Sequence, residues 1–370
     1  MAANSARLRP KREASGRRGS VLVTGVGGSS VGHQILQALQ LVGSRYRTVA
    51  TDASDFSFGL FEADSAYVIP RAGSSHYLRA ISEIVEREKV IAVLPGTEAE
   101  LQVISENADR LSQRGCVAIT NPSQVVKLCS NKGVLYHWLS EHGFRVPRTA
   151  NAHGWRKLVA EVGLPLIGKP TEGAGASRNV EILASEEEID AYVSQAEESE
   201  REVVLQEYVG SSTSEYTVGV LSTRAGKTID SIVLHRNLTG LSAGTTRTLK
   251  DRSYSLSSGY SQGFVVQDRA IQDVCERLAR QMGSCGPLNV QCRVSEKDEV
   301  TIFEVHARFS GTSSIRAMVG FNEPDLLIRN FVFGEDFHRV EYQSDVAAIR
   351  AFRQVIVPIE KLKKLPKVLG

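Results

Sequence analysis

Between Ser20 and Thr120, short apolar runs alternate with helical periodicities, and this most narrows the folds open to the chain. "SVLVTG" reads as a strand and "GHQILQALQLV" as a helix. "RTVATD" and "AYVIP" are two more strands, followed by a helix through "LRAISEIVERE". "VIAVLPG", a helix through "AELQVISENADRL", and "CVAIT" complete the series. Strands separated by helices of this length must pair in parallel, with helices on both faces of one sheet. An α/β, Rossmann-like domain over residues 20–121 is therefore expected.

The texture then changes. Residues 123–162 read as helices joined by "HGFRVPRT", and "PLIGKP" opens a region of short strands with the acidic helix "SEEEIDAYVSQAEE". Longer β-segments follow: "VVLQEYV", "SEYTVGVLS" and "TIDSIVLHRN". After the helix "DRAIQDVCERLARQM" come "LNVQCRV" and "VTIFEVHARF". Consecutive strands with one packing helix predict an antiparallel α+β domain.

At 370 residues and 42% hydrophobic content, the chain has material for two to three domains or subdomains. A net charge of +2 gives no argument for a nucleic-acid or membrane partner. No apolar run approaches the roughly 20 residues of a membrane span. Cys116, Cys129, Cys275, Cys285 and Cys292 have neither CxxC spacing nor a dense framework, so a reducing cytoplasm is the expected compartment. Residues 1–19 are basic, lack a hydrophobic segment and read as a disordered tail rather than a secretory signal.

In "EVHARF", Glu304, His306 and Arg308 occupy every second position, hence one face of a strand. A turn centred on Lys297 and Asp298 would set Gln291 opposite Glu304 and Asn289 opposite His306. Val290, Cys292, Phe303 and Val305 would then pack on the other face. An amide oxygen beside a carboxylate is a partial shell for Mg²⁺, and Arg308 has the planar fork that holds a phosphoryl group. A solvent-facing sheet with incidental polar residues is the competing reading.

"LIGKPTEGAGASRNVEIL" places Lys169 at a strand end before a loop with Gly173, Gly175 and Ser177. Small residues let backbone amides approach an anion, and the lysine adds a point charge. The strand-to-strand connection is not a Walker A loop. In "VLQEYVGSSTSEYTVGVL", Glu207 could accept from an adenine amine, Tyr208 and Val209 offer main-chain contacts, and Glu215 could hold ribose hydroxyls.

Taken in order, Lys169 with its glycine loop, "QEYV" with Glu215, and "NVQ" followed by "FEVHARFSG" resemble an ATP-grasp enzyme. The likeness is to single-module relatives of the carbamoyl-phosphate synthetase large subunit, over roughly residues 20–355. The resemblance implies the parallel-sheet domain at 20–121, a helical linker and small lid at 122–206, a C-terminal α+β domain at 207–358 and a tail at 359–370. It places ATP between lid and C-terminal domain. Lys132 and Lys169 would contact phosphates beneath the loop Gly173–Ser177. Glu207, Tyr208 and Val209 would bind adenine, and Glu215 ribose. Gln291 and Glu304 would bind Mg²⁺, and Arg308 would face the γ-phosphate. His306 stands where such enzymes commonly have Asn, which opens metal ligation, a preference for Mn²⁺, or substrate contact.

"VTGVGGSSVGHQIL" with Asp52 approximates a dinucleotide fingerprint, but lacks the strict GxGxxG. A tight strand–helix turn also accounts for its glycines. "PGTEAEL" offers Glu98 and Glu100 as amine partners, or merely as favourable charges at a helix start. His235 and Arg236 end a strand near the expected phosphates; Arg247 and Arg316 are candidates for substrate. The resemblance implies that ATP activates a small carboxylate as an acyl-phosphate, which an amine then captures as an amide. Phosphorylation of bicarbonate or another small carboxylate, and a non-catalytic nucleotide-binding regulator, are the alternatives. Many relatives are homodimers, and the oligomeric state is open.

Overall fold

The computed structural model describes residues 18–28, 30–171 and 179–370. Gly173, Gly175 and Ser177 lie outside the described residues, as does most of the basic N-terminal segment.

The first unit contains β1 (Ser20–Thr24), β2 (Arg47–Asp52), β3 (Ser65–Val68), β4 (Val90–Leu94) and β5 (Val117–Ala118), in the order β3-β2-β1-β4-β5. All neighbours are parallel. Their crossovers carry α1 (Val31–Gln40), α2 (Tyr77–Glu88), α3 (Glu98–Glu106) and α4 (Ala108–Ser112). The strand order reverses direction between β1 and β4, so their carboxyl ends open a crevice. Gly25–Gly28 follow β1 there, and Gly96–Glu98 follow β4. Gly32 and Gly96 explain the glycine spacing. A Cβ on either would lie 2.2 or 2.1 Å from the Thr24 carbonyl, so both let α1 and the β4 loop pack against the end of β1.

α5 (Ser123–Ser130) and α6 (Lys132–Glu141) lead into a small unit. It comprises β6 (Thr149–Asn151), α7 (Trp155–Val162), β7 (Leu166–Pro170), β8 (Glu181–Leu183), α8 (Glu186–Glu198) and β9 (Val203–Glu207). Its sheet order is β6-β9-β7-β8. Trp155, Leu158, Leu166, Leu183, Ile189 and Leu205 give it a core of its own.

The remaining strands are β10 (Glu215–Ser222), β11 (Thr228–Arg236), β12 (Ala243–Leu249), β13 (Arg252–Ser257), β14 (Gly263–Val266), β15 (Gly286–Val294), β16 (Val300–His306) and β17 (Val346–Ala348). Six form an antiparallel sheet, β16-β15-β10-β11-β14-β17, and β12–β13 a separate ribbon. α9 (Arg269–Met282), capped by Asp268, packs its apolar face on this sheet. α10 (Ser313–Met318) and α11 (Glu323–Phe333) lie between it and α1. One continuous core joins Val23, Ile35, Leu39 and Leu94 of the first unit to Ile232, Leu234, Ile315 and Leu327 of the last. The first and last units therefore meet through buried apolar surface, which fixes their relative position.

The last residues, read from sequence as a tail, return to the first unit. α12 (Ile359–Lys363) is followed by Lys367, which bridges Val68 at the edge of β3, and by the buried Val368, whose amide donates to the Val68 carbonyl. The added backbone covers an otherwise open strand edge. Among the described residues, no helix is long and apolar enough to cross a membrane.

Candidate active site

The four-stranded unit and the six-stranded sheet face each other across a cleft of about 1440 Å³, which extends to the carboxyl ends of β1 and β4. Its floor is the β15–β16 hairpin. Gln291 pairs with Glu304 and Asn289 with His306, as the sequence pattern requires, but a bulge produces this register. Val294 pairs with Val300 and Cys292 with Ile302, so the turn is centred on Lys297 alone. The shift between Gln291 and Cys292 restores the pairing expected at the site. Phe303 is consequently turned into the cleft beside Glu304, rather than onto the apolar face with Ile302 and Val305. Its carbonyl leaves the ladder and accepts from Tyr136 Oη at 2.7 Å and Lys169 Nζ at 3.4 Å. The bulge thereby docks the lid's lysine.

Lys169 is buried at the end of β7, and Lys132 stands at the start of α6, capped by Asn131. Burial pulls Lys169 down to about 8, against the opposing attraction of Glu304. Burial would raise Glu304, but His306, Lys132 and Lys169 bring it to about 2. This carboxylate is ionised and surrounded by cations.

Arg308 Nε donates to Glu98 Oε1 at 2.5 Å, and His306 Nδ1 lies 3.2 Å from the same oxygen. His306 Nε2 is 3.4 Å from Glu304 Oε1. Burial and Arg308 disfavour a charged His306, yet Glu304 and Glu98 prevail and raise its pKa. Both ring nitrogens of His306 face carboxylates, so His306 bridges Glu304 and Glu98 at the position where metal ligation or substrate contact was expected. Shielding works against the Glu98 charge, but Arg308 and His306 outweigh it and hold the carboxyl far below the usual range. Glu100 departs from its expected amine contact. Thr97 caps α3 by accepting from the Glu100 amide and its hydroxyl donates to Glu100 Oε2, while burial raises the Glu100 carboxyl to about 7. The T-x-x-E spacing carried that signal.

Gln291 Nε2 donates to Glu304 Oε2 at 2.7 Å, and its Oε1 faces Arg236 Nη1 at 3.4 Å. A cation would require the opposite amide orientation, which a 180° flip supplies. The chemistry of the pair, a carboxylate and an amide oxygen, suits a hard divalent ion. Among the described residues, no three His, Cys, Asp or Glu side chains are grouped to hold a metal.

Other expected residues fall elsewhere. Glu207, Tyr208 and Val209 line the cleft. Glu207 Oε2, however, accepts from the Arg148 amide, the Val209 carbonyl from Arg293, and Tyr208 Oη bonds the Ser255 backbone. Glu215 is a buried counter-ion, not a free ribose acceptor: Arg236 takes Oε1 at 3.0 Å and Arg293 takes Oε2 at 2.8 Å. His235 points away, bonding the Thr213 carbonyl and stacking on Tyr216. Its neighbour Arg236 faces the cleft instead. The registers Gln291–Thr217 and Thr217–Leu234 identify that face, and two-residue periodicity extends it to Arg236 and Arg293. Arg236 was expected near the phosphates together with His235, whereas Arg293 was overlooked as a site residue.

Arg247 pairs with Glu188 of α8, Nη2 to Oε1 at 2.8 Å, and ties the β12–β13 ribbon to the lid. It does not line the cleft. Arg316 is fully buried, donating to Glu323 at 2.7 Å and to Asn289 at 2.8 Å, so it orients Asn289 from behind and cannot receive a substrate. Arg316→Met should cost about 3–5 kcal/mol by stranding the Glu323 charge. Denaturant midpoints would show this, with much of the loss recovered in Arg316→Met/Glu323→Leu.

A parallel-sheet unit, a small lid with its own core and an antiparallel sheet meeting at one cleft define the ATP-grasp fold. Residues 21–119 match the family model for the PylC-like N-terminal domain. Residues 199–354 match that for ATP-grasp in the biosynthetic pathway with Ter operon. The C-terminal part thus matches an ATP-grasp family model, and the chain has the ATP-grasp fold. No curated protein matches it in sequence.

Its fold is similar to the biotin carboxylase domain of Hydrogenobacter thermophilus 2-oxoglutarate carboxylase, solved with MgADP, ADP and bicarbonate. The TM-score is 0.60 and the identity 16%, over 89% of this chain and 72% of that one. It is also similar to an ADP complex of N5-carboxyaminoimidazole synthetase from Staphylococcus aureus, with TM-score 0.61 and 12% identity over 88% and 80%. L-amino acid ligase from Bacillus licheniformis gives 0.60 and 14%, over 86% and 75%.

Proposed function

We propose that this chain is an ATP- and Mg²⁺-dependent ligase that activates a small carboxylate and joins it to an amine. The observation that carries the reading is the convergence of Lys169, Glu304, Arg308 and Glu98 on one cleft from three separate units. Lys132 and Lys169 bind the nucleotide phosphates, and the face bearing Tyr208 and Val209 holds the base. Gln291 and Glu304 would hold Mg²⁺, which supplies charge neutralisation to the phosphates. Arg308 orients the transferring phosphoryl group and balances its charge. The carboxylate oxygen attacks the γ-phosphorus, the bond to the bridging oxygen breaks, and ADP leaves. The amine then attacks the acyl carbon and phosphate departs. Glu98, beside Arg308 and exposed to the cleft, holds the amine by its charge, and the departing phosphate can take the amine's proton. Burial between lid and sheet shields the acyl-phosphate from water.

Phosphate release from MgATP, screened against amino acids and small carboxylates, tests this reading. Release that requires both an acid and an amine supports it; no release with any pair opposes it. A second reading, activation of bicarbonate, draws support from the bicarbonate in the similar carboxylase structure, and release with bicarbonate alone would favour it. Lys169→Ala should weaken MgADP binding at least ~10-fold, about 1.4 kcal/mol, by calorimetry. Unchanged affinity would contradict the phosphate role.

A further inference from the structure

Beyond β17, residues 349–359 place a dense set of apolar side chains in water. Ile349, Phe352 and Ile356 are 86%, 61% and 93% exposed, and Val355 and Ile359 are exposed as well. Of the 13 large apolar side chains exposed among the described residues, 5 fall in this segment, so the patch is not random scatter. Phe264 of β14, paired with Ala347 of β17, extends it. No turn or helix interrupts the chain between β17 and α12. Among the described residues, 351–357 make no hydrogen bond through their backbone.

The strip is anchored at both ends. Phe352 packs edge-on against Tyr260, with ring centroids 5.6 Å apart, and Arg353 pairs with Glu62 of the first unit at 3.0 Å. Further on, Lys367 and Val368 pair with Val68. An edge that stays unpaired is usually blunted by outward charge or proline. Here Arg353 turns back to Glu62 and Arg350 to the Gly311 carbonyl, and proline enters only at Pro358. The charges outside the strip are polarised. Glu341 and Asp345 precede it, and Lys361, Lys363 and Lys364 follow it. All five are exposed, and none forms an ion pair among the described residues.

We propose that residues 349–359 are a homodimer interface, in which the strip pairs antiparallel with the same strip of a second copy. The apolar positions are symmetric about Gln354. A twofold axis there sets Phe352 opposite the partner's Ile356 and Ile349 opposite the partner's Ile359, so each apolar side chain meets another. The same axis brings the acidic end of each strip to the basic end of the other. A parallel approach would instead oppose like charges. The free backbone of 351–357 supplies the ladder.

Sedimentation of the full chain over a range of concentrations tests this. The wild type should be a dimer, and Ile356→Glu should weaken association at least about 100-fold, because each dimer carries the change twice. Ile356 is exposed, so the circular dichroism of the monomer should be unchanged. Cysteine substitutions read the register. Gln354→Cys should give an intermolecular disulfide on oxidation, since residues on the axis lie roughly 4.5–5.5 Å apart. Phe352→Cys should not, because its two copies are about 13 Å apart along the strands. A monomeric wild type, whether the strip is bare or covered by something else, would overturn the proposal. So would a dimer indifferent to Ile356→Glu, or one in which Gln354→Cys stays unlinked. None of these readouts involves nucleotide or phosphate release, so they are independent of the ligase reading.

Discussion

Glu304→Gln should lower ATP-dependent phosphate release by about 10²–10³-fold or more, while the protein stays folded. The substitution conserves shape, so Gln291 and the β15–β16 pairing keep their packing. It removes the one carboxylate placed between His306 and the two lysines, and with it the anionic oxygens for a divalent ion. Steady-state phosphate release with increasing Mg²⁺ reads the effect, and circular dichroism verifies the fold. Wild-type turnover in a folded variant would remove Glu304 from the site. Partial recovery at high Mg²⁺ would localise the loss to metal affinity.

Arg308→Ala should produce the second largest loss, about 10²–10³-fold in kcat, comparable to deleting one preorganised donor to a developing charge. Arg308 is held at a fixed angle by Glu98 at 2.5 Å and by donation of Nη1 to the Phe309 carbonyl at 2.8 Å. Arg308→Lys should recover little, because an ammonium cannot reproduce the planar fork. Glu98→Gln separates its roles. A rise in KM for the amine with kcat nearly retained would indicate amine binding, whereas an equal fall of kcat in Glu98→Gln and Arg308→Ala would show that Glu98 serves by orienting the arginine. Unaltered kcat in Arg308→Ala would refute the phosphoryl contact.

Local patterns made much of this molecule legible. Strand–helix alternation sufficed for the parallel unit, since each parallel neighbour needs a crossover of that length. Two-residue periodicity placed Glu304, His306 and Arg308 on one face. The same rule, carried across β10 and β11, would have selected Arg236 over His235, but it needs registers that non-neighbouring strands acquire only on pairing. The role of Arg247 could not be read this way either, because its partner Glu188 is distant in sequence.

By itself, then, the sequence determined the order of elements, the class of fold and the polar face of one hairpin, all consequences of short-range periodicity. Only the tertiary structure decided which charges meet. It set Glu98 against His306 and against Arg308, 210 residues away, and buried Glu215 between two arginines. Charge interactions act through space and depend on shielding from water, and neither quantity exists until the chain has packed.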